Sequence, residues 1–214
     1  MKYRMGIVAI CIMGVSVSSI YGEPTHNEAE QRSPSSKIIK ILLGSTRQGR
    51  RSEKIGKAVY EIVKKNQKAH VEILDLREWA LPWFDDANPP FQREGPSADP
   101  VVRKWSEMIE KTDALIILVP DYNQGYSAVL KNAIDLLFRE WSGKRIALVG
   151  YGDAGNGGEH AAAQLREVLR ALSASLVADQ LLIPIVYQAL DQEGKFINKE
   201  YEPILEKMME QLIV

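Results

Sequence analysis

Between Gly44 and Ser52 the chain gathers three hydroxyl side chains, Ser45, Thr46 and Ser52, and three guanidinium groups, Arg47, Arg50 and Arg51. Hydroxyl donors interleaved with fixed positive charge suit a phosphate monoester, which carries about −1.5 to −2 charge at neutral pH and several strong acceptor oxygens. The flanks say how such a loop would be held. Ile38, Ile39, Ile41, Leu42 and Leu43 form an apolar run that stops at Gly44, and an amphipathic segment opens at Ser52. A buried parallel strand feeding a helix through such a loop leaves the first-turn N–H groups without intrahelical partners, and the helix dipole adds partial positive charge there. The plain alternative is a basic turn that faces only water.

Two lookalikes have to be set aside. Gly44 and Gly49 have P-loop spacing, but Arg50 stands where the phosphate-gripping Lys belongs and Arg51 where the Mg²⁺-binding hydroxyl belongs. Magnesium nucleotide chemistry therefore loses its metal ligand. Further on, Gly150, Gly152 and Gly155 match G-x-G-x-x-G after the run Ile146 to Val149. A dinucleotide site also needs an acidic residue ending the next strand, about 20 residues on. The following helical pattern runs to about Leu172, and the nearest acid, Asp179, lies beyond it. The motif reads as a second ligand-facing loop rather than a dinucleotide fingerprint.

The elements that must position these loops alternate. Apolar runs predict strands at 38–43, 71–76, 114–119, 145–150 and 180–186, and helical periodicity appears at 53–65, 100–111, 127–138, 158–172 and 199–213. Such alternation predicts a doubly wound α/β fold, a five-stranded parallel sheet of order 2-1-3-4-5 covered on both faces. Its ligand crevice lies at the carboxyl ends of the strands, where the loops after Gly44, Pro120 and Gly150 would converge. Residues 79–99, rich in proline and aromatics, stand outside this rhythm and predict an irregular excursion. Its Trp83, Phe84 and Phe91 either shield a ligand or partner, or form the excursion's own small core.

The remainder of the chain bounds the answer. It has 214 residues, 45% hydrophobic and 26% charged, with a formal net charge of −1. That is ordinary for one globular domain, and with no extended basic face nucleic acid is not an expected partner. His26, His70 and His160 are scattered, and no Cys/His cluster has metal-ligand spacing. Lys2 and Arg4 precede an apolar run from Gly6 to Val17 that is short for a membrane span, followed by Ser18, Ser19 and Gly22. That layout is a candidate signal peptide over residues 1–22, and its removal would take Cys11, the only cysteine, with it. Residues 23–36 are polar and read as a flexible linker, leaving 37–214 as the folded domain, with no membrane contact expected of it.

At Val119 the chain reads VPDYNQGYSAVLKNAIDLL. Together with GSTRQGRRSEKI, this resembles the NADPH-dependent FMN reductase family of flavodoxin-like proteins, whose relatives reduce chromate, quinones and azo compounds. The resemblance spans 37 to about 186. It implies that Ser45, Arg47 and Ser52 hold the FMN phosphate, with Arg51 assisting or merely solvated. It places the turn Pro120-Asp121-Tyr122-Asn123 along the isoalloxazine ring, with Tyr122 against its face and Gly125 allowing close backbone approach. Tyr151, Gly152 and Gly155 match the loop that closes over the other end of the ring. Asn132 would buttress a loop, while Lys131 and Asp135 belong to the helix surface or an interface. Asp121 stands where the family usually has Glu, and Ser127 where it often has Pro.

The resemblance implies an FMN-dependent oxidoreductase that takes hydride from NADPH or NADH and passes electrons to a small-molecule acceptor such as a quinone, flavin, azo compound or metal oxyanion. No residue need act as acid, base or nucleophile, because the protein's task is to hold donor and flavin roughly 3–3.5 Å apart and stabilise the reduced ring. The alternative is a flavodoxin-type electron carrier, though carriers usually present a strongly acidic face. A homodimer or homotetramer is expected around the helix after the ring loop, with Tyr126 near the neighbour's flavin. If the signal functions the protein is exported, periplasmic or secreted; otherwise it is cytoplasmic, where FMN and NADPH are made.

Overall fold

The computed structural model describes residues 36–214. The signal and most of the linker expected at the start of the chain lie outside the described residues. The apolar runs fold as five strands: β1 (Lys37–Leu43), β2 (Ala69–Asp75), β3 (Ala114–Pro120), β4 (Arg145–Tyr151) and β5 (Ser175–Ile183). All pairings are parallel, in the order β2-β1-β3-β4-β5. Five helices connect or follow them: α1 (Ser52–Val63), α2 (Pro100–Glu110), α3 (Ala128–Asp135), α4 (Glu159–Ala171) and α5 (Tyr201–Leu212).

Period-two alternation sorts the strand residues onto two faces. Ile39, Ile41, Leu43, Ile116, Leu118 and Val149 pack with α1 and α5 on one side. On the other, Leu42, Leu115, Ile117, Val119 and Leu148 pack with α2, α3 and α4. Burial on both faces is why β3 reads as the unbroken apolar run ALIILVP, every residue of it buried. Order 2-1-3-4-5 puts the carboxyl ends of β1, β3 and β4 side by side, so the three candidate loops rise from adjacent strands.

Two elements depart from the periodicity, each for a physical reason. The expected strand 180–186 begins earlier, at Ser175, and ends at Ile183. It is an edge strand with a register irregularity against β4, and its polar positions are tied outward. Asp179 accepts from Lys207 at 3.0 Å and from Gln211, while Gln180 accepts from Arg166 at 2.9 Å. The expected helix 127–138 is shorter, running from Ala128 to Asp135. Two fully buried tryptophans claim carbonyls of its last turn: the Trp105 indole donates to Ala133 O at 2.8 Å and that of Trp141 to Ile134 O at 3.0 Å.

The 79–99 excursion is irregular apart from one 3₁₀ turn at Pro90–Gln92. Asn132 of α3 holds it, donating to Pro82 O at 2.8 Å and accepting from Phe84 N at 2.9 Å. Trp83 is 68% exposed and Phe91 52%, so neither forms a core for the excursion; Phe91 instead lies 5.7 Å from the ring of Phe138.

Candidate functional site

The loop after β1 is built from the inside out. Gly44 N donates to Leu118 O at 3.1 Å, drawing the end of β1 so close to β3 that a Cβ at 44 would sit 2.4 Å from that carbonyl. Ser127 joins the same point from α3: it caps that helix by accepting from Leu130 N at 3.3 Å and donates to Gly44 O. Beneath the loop lies Arg50, whose guanidinium is 3% exposed. It forms a two-pronged pair with the Asp75 carboxylate and donates to Ser45 O at 2.8 Å. From outside, Arg77 donates to Thr46 O at 3.3 Å and Arg47 O at 2.8 Å. Burial alone would raise the Asp75 carboxyl, but the Arg50 pair and the Arg77 N–H outweigh it and hold the group below the usual carboxylate range.

Arg50 is therefore not a free charge for an anion. The cations left for a ligand are Arg47 and Arg51, both exposed and both lining the crevice.

The turn after β3 has its own lock. Asn123 and Gln124 both take left-handed backbone, with φ of 56° and 66°. Tyr122 and Gly125 close it through reciprocal backbone bonds of 2.7 and 3.2 Å, and Asp121 accepts from Gln124 N at 2.7 Å. Two consecutive left-handed residues are the geometry of a tight hairpin turn, sustained here by that carboxylate against a steric cost. From this turn Tyr122 reaches across the crevice, its hydroxyl 2.5 Å from that of Ser45, so the phosphate-type loop and the ring-type loop are tied directly.

The loop after β4 is held by packing. At Gly150 a Cβ would meet Gly157 O at 2.8 Å, and at Gly158, whose φ is +77°, it would meet Tyr151 N at 2.7 Å. Gly152 has ordinary backbone; its missing side chain admits Asp121, whose Cβ would lie 3.1 Å away. Asp179, the acid a dinucleotide reading would need, is bonded to α5 instead.

Together the loops line a crevice of about 610 Å³ that includes Ser45, Arg47, Arg51, Pro120, Asp121, Tyr122, Asn123, Tyr151 and Gly152. Two of the expected residues stand back from it. Ser52, the first residue of α1, is fully buried, and Gly125 serves the turn, its nearest outside neighbour being the side chain of Gln164. Among the described residues around the crevice, Asp121 Oδ2 is buried without a hydrogen-bond partner, and the buried hydroxyls of Ser52 and Tyr151 have no neighbour to bond except each other. Burial pushes the Tyr151 phenol well up, with the Ser52 hydroxyl beside it only partly offsetting this, so it stays a neutral O–H donor. Unpaired buried donors and acceptors in one cleft are what a site lacks before its ligand supplies the partners. Two donor hydroxyls and a helix N-terminus fit a phosphate, and a carboxylate acceptor at the other end fits a ligand with an N–H edge.

Sequence reasoning missed Asp75, Arg77 and the capping role of Ser127. For Ser127 a signal existed, a serine just ahead of a helical pattern. For Asp75 and Arg77 there was none, since both meet the loop only through the β1–β2 pairing.

Comparison with known proteins agrees with this geometry. An NAD(P)H-dependent FMN reductase of Saccharomyces cerevisiae is 34% identical over 148 residues, covering 65% of this chain and 76% of its own length. An FMN-dependent NADPH-azoreductase of Staphylococcus aureus is 26% identical over 166 residues, covering 76% and 85%. Among solved structures, FerB, a flavoenzyme NAD(P)H:(acceptor) oxidoreductase of Paracoccus denitrificans, shares the fold at 22% identity with a TM-score of 0.65, over 83% of this chain and 95% of that one. Residues 37–188 match the family described as NADPH-dependent FMN reductase, and the chain belongs to that family.

Proposed function

We propose that the crevice above β1, β3 and β4 holds FMN, and that the protein is an NAD(P)H-dependent FMN oxidoreductase serving a small-molecule acceptor. The observation that carries this is a set of buried polar groups left short of partners around a cleft at the N-terminus of α1: Asp121 Oδ2, which has none among the described residues, and the Ser52 and Tyr151 hydroxyls, which have only each other. Ser45, Arg47, Ser52 and the α1 N-terminus would take the phosphate, with Tyr151 donating from its neutral phenol. Pro120, Asp121, Tyr122, Asn123 and Gly152 would take the ring. When bound, FMN supplies the redox chemistry, accepting hydride from a reduced nicotinamide and passing two electrons to the acceptor.

The residues themselves position and polarise. Arg50, Asp75 and Arg77 fix the loop's backbone through the Ser45 and Arg47 carbonyls, so the loop would need little rearrangement on binding. Tyr122 holds the ring-side turn to the phosphate side through Ser45. The named activities of relatives, FMN and azo-compound reduction, support a small, planar or soluble acceptor.

The expected homodimer around α3 has a narrow apolar basis in this structure. Ile134 and Leu137 are used inside the protomer, and the apolar surface left over is Trp83, Phe91 and Phe138 beside α3. Those aromatics support self-association, and light scattering of a dimer weakened by Phe138→Glu would bear it out.

The decisive experiment is an absorbance spectrum of the purified protein before and after anaerobic NADPH. A yellow protein bleached by NADPH is expected; a flavin that only a chemical reductant bleaches would make it an electron carrier.

A further inference from the structure

A second cavity, of about 1020 Å³, lies beside the proposed flavin crevice, along α1. Arg51 and Val186 line both spaces, so the two are neighbours. One wall is α1 and the other is the connection 184–200 between β5 and α5. Ile73 and Tyr187 give it apolar surface, 38% and 55% exposed. A cleft of this size suits a nucleoside-sized ligand.

Its charges are unevenly paired. Arg51, Lys54 and Lys57 follow each other at three-residue spacing, so they rise along one side of the first two turns of α1. Among the described residues none of the three side chains has a hydrogen-bonded or ion-paired partner. Toward the other end of the helix the cations are neutralised: Lys64 pairs with Glu61 at 2.8 Å and Lys65 with Glu202 at 2.6 Å. The lining also holds Glu61, Asp191 and Glu193 against Lys195 and Lys199, and Arg51, Lys54 and Lys57 are the part of it next to the crevice where unpaired positive charge favours an anion.

Resting on the FMN reading above, we propose that this cavity seats the adenosine end of the nicotinamide donor, with Arg51, Lys54 and Lys57 receiving its phosphates and Lys54 and Lys57 selecting the extra 2′-phosphate of NADPH. Tyr187 offers an exposed aromatic face for the adenine. Three cations in a row spanning roughly two turns, about 9 Å, can meet a pyrophosphate near Arg51 and a second phosphate further along. NADH, lacking that second phosphate, would leave Lys54 and Lys57 without a partner.

Calorimetric titration of the protein with adenosine 2′,5′-bisphosphate and, separately, with AMP tests this without turnover. The bisphosphate should bind at least about tenfold more tightly than AMP, and the double variant Lys54→Glu/Lys57→Glu should erase that margin. In the FMN-loaded enzyme the same variant should shift the NADPH-to-NADH ratio of KM values by about tenfold or more. Equal binding of the two probes, or a margin that survives the variant, overturns the proposal. A flavin reduced by NADH with no preference between donors would refute this inference while leaving the FMN reading standing. Failure of both donors to reduce bound flavin would refute the reading itself.

Discussion

The loop from Gly44 to Ser52 and the loop from Gly150 to Gly158 stand on opposite sides of β3 and keep their shapes by opposite means. The first is held by charge: Arg50 lies buried between Asp75 and Ser45 O, with Arg77 gripping two further carbonyls. The second is held by absence of side chains: Gly150, Gly157 and Gly158 are placed where a Cβ would meet backbone within 3 Å. Both motifs are misleading on their face. Arg50 in a basic loop is a brace rather than a free ligand, and of the fingerprint glycines only Gly150 is needed for close backbone packing, a Cβ at Gly155 meeting nothing within 4 Å. The physical difference is tolerance. A charge brace can be rewired if both partners change together, whereas a backbone-on-backbone approach has no compensating substitution.

The comparison breaks most severely at Gly158. Gly158→Ala must put a Cβ 2.7 Å from Tyr151 N at a φ of +77°, so the loop cannot keep its path. A loss above about 4 kcal/mol is expected, with FMN and riboflavin binding lost together, as thermal melting and flavin titration would show.

Next comes Arg50→Ala, which strands the Asp75 carboxylate in a site where it is only 13% exposed. Removing one partner of a buried pair costs about 3–5 kcal/mol. Asp75→Asn added to that variant should recover part of the loss, a rescue that has no counterpart at Gly158. The pair also gives a pH signature. Asp75 is held below its ordinary value, so its contribution is complete above about pH 4 and fades as pH falls through the depressed value. Wild type and Asp75→Asn should therefore differ in melting temperature at neutral pH and converge in acid; a gap that stays constant with pH would sink this assignment.

The smallest effect is expected at Gly152. There a Cβ meets only Asp121 Cβ, at 3.1 Å and with ordinary backbone. Gly152→Ala should cost about 1–3 kcal/mol by overpacking and weaken FMN and riboflavin alike. Lost NADPH turnover with undiminished flavin affinity would instead return the loop to a dinucleotide role.

Much of the architecture was legible because a parallel sheet buried on both faces writes itself as apolar runs, and β1, β3 and β4 begin and end within a residue or two of those runs. The edge strand β5 was misplaced because its polar positions are satisfied by α5 and α4, contacts that leave no trace in a local pattern. In the site, the hydroxyls, Arg47 and the Pro120–Asn123 turn could be named because their chemistry is local to each loop. The partner of Arg50 could not, since Asp75 lies 25 residues away and meets it only through strand pairing. Ser127 was visible as a departure from a pattern, while its work, joining the α3 cap to the end of β1, needed the fold.

The central claim, that the braced loop after β1 is a phosphate site whose free charge is Arg47, is tested most directly by titrating FMN and riboflavin against wild type and Arg47→Ala. Arg47 is exposed at the crevice, and its guanidinium has no hydrogen-bonded or ion-paired partner among the described residues. One charge-assisted bond is worth ~1.5–3 kcal/mol, so FMN affinity should fall about ten- to a hundredfold while riboflavin affinity holds. Equal losses for the two flavins would contradict the account and make Arg47 a structural residue.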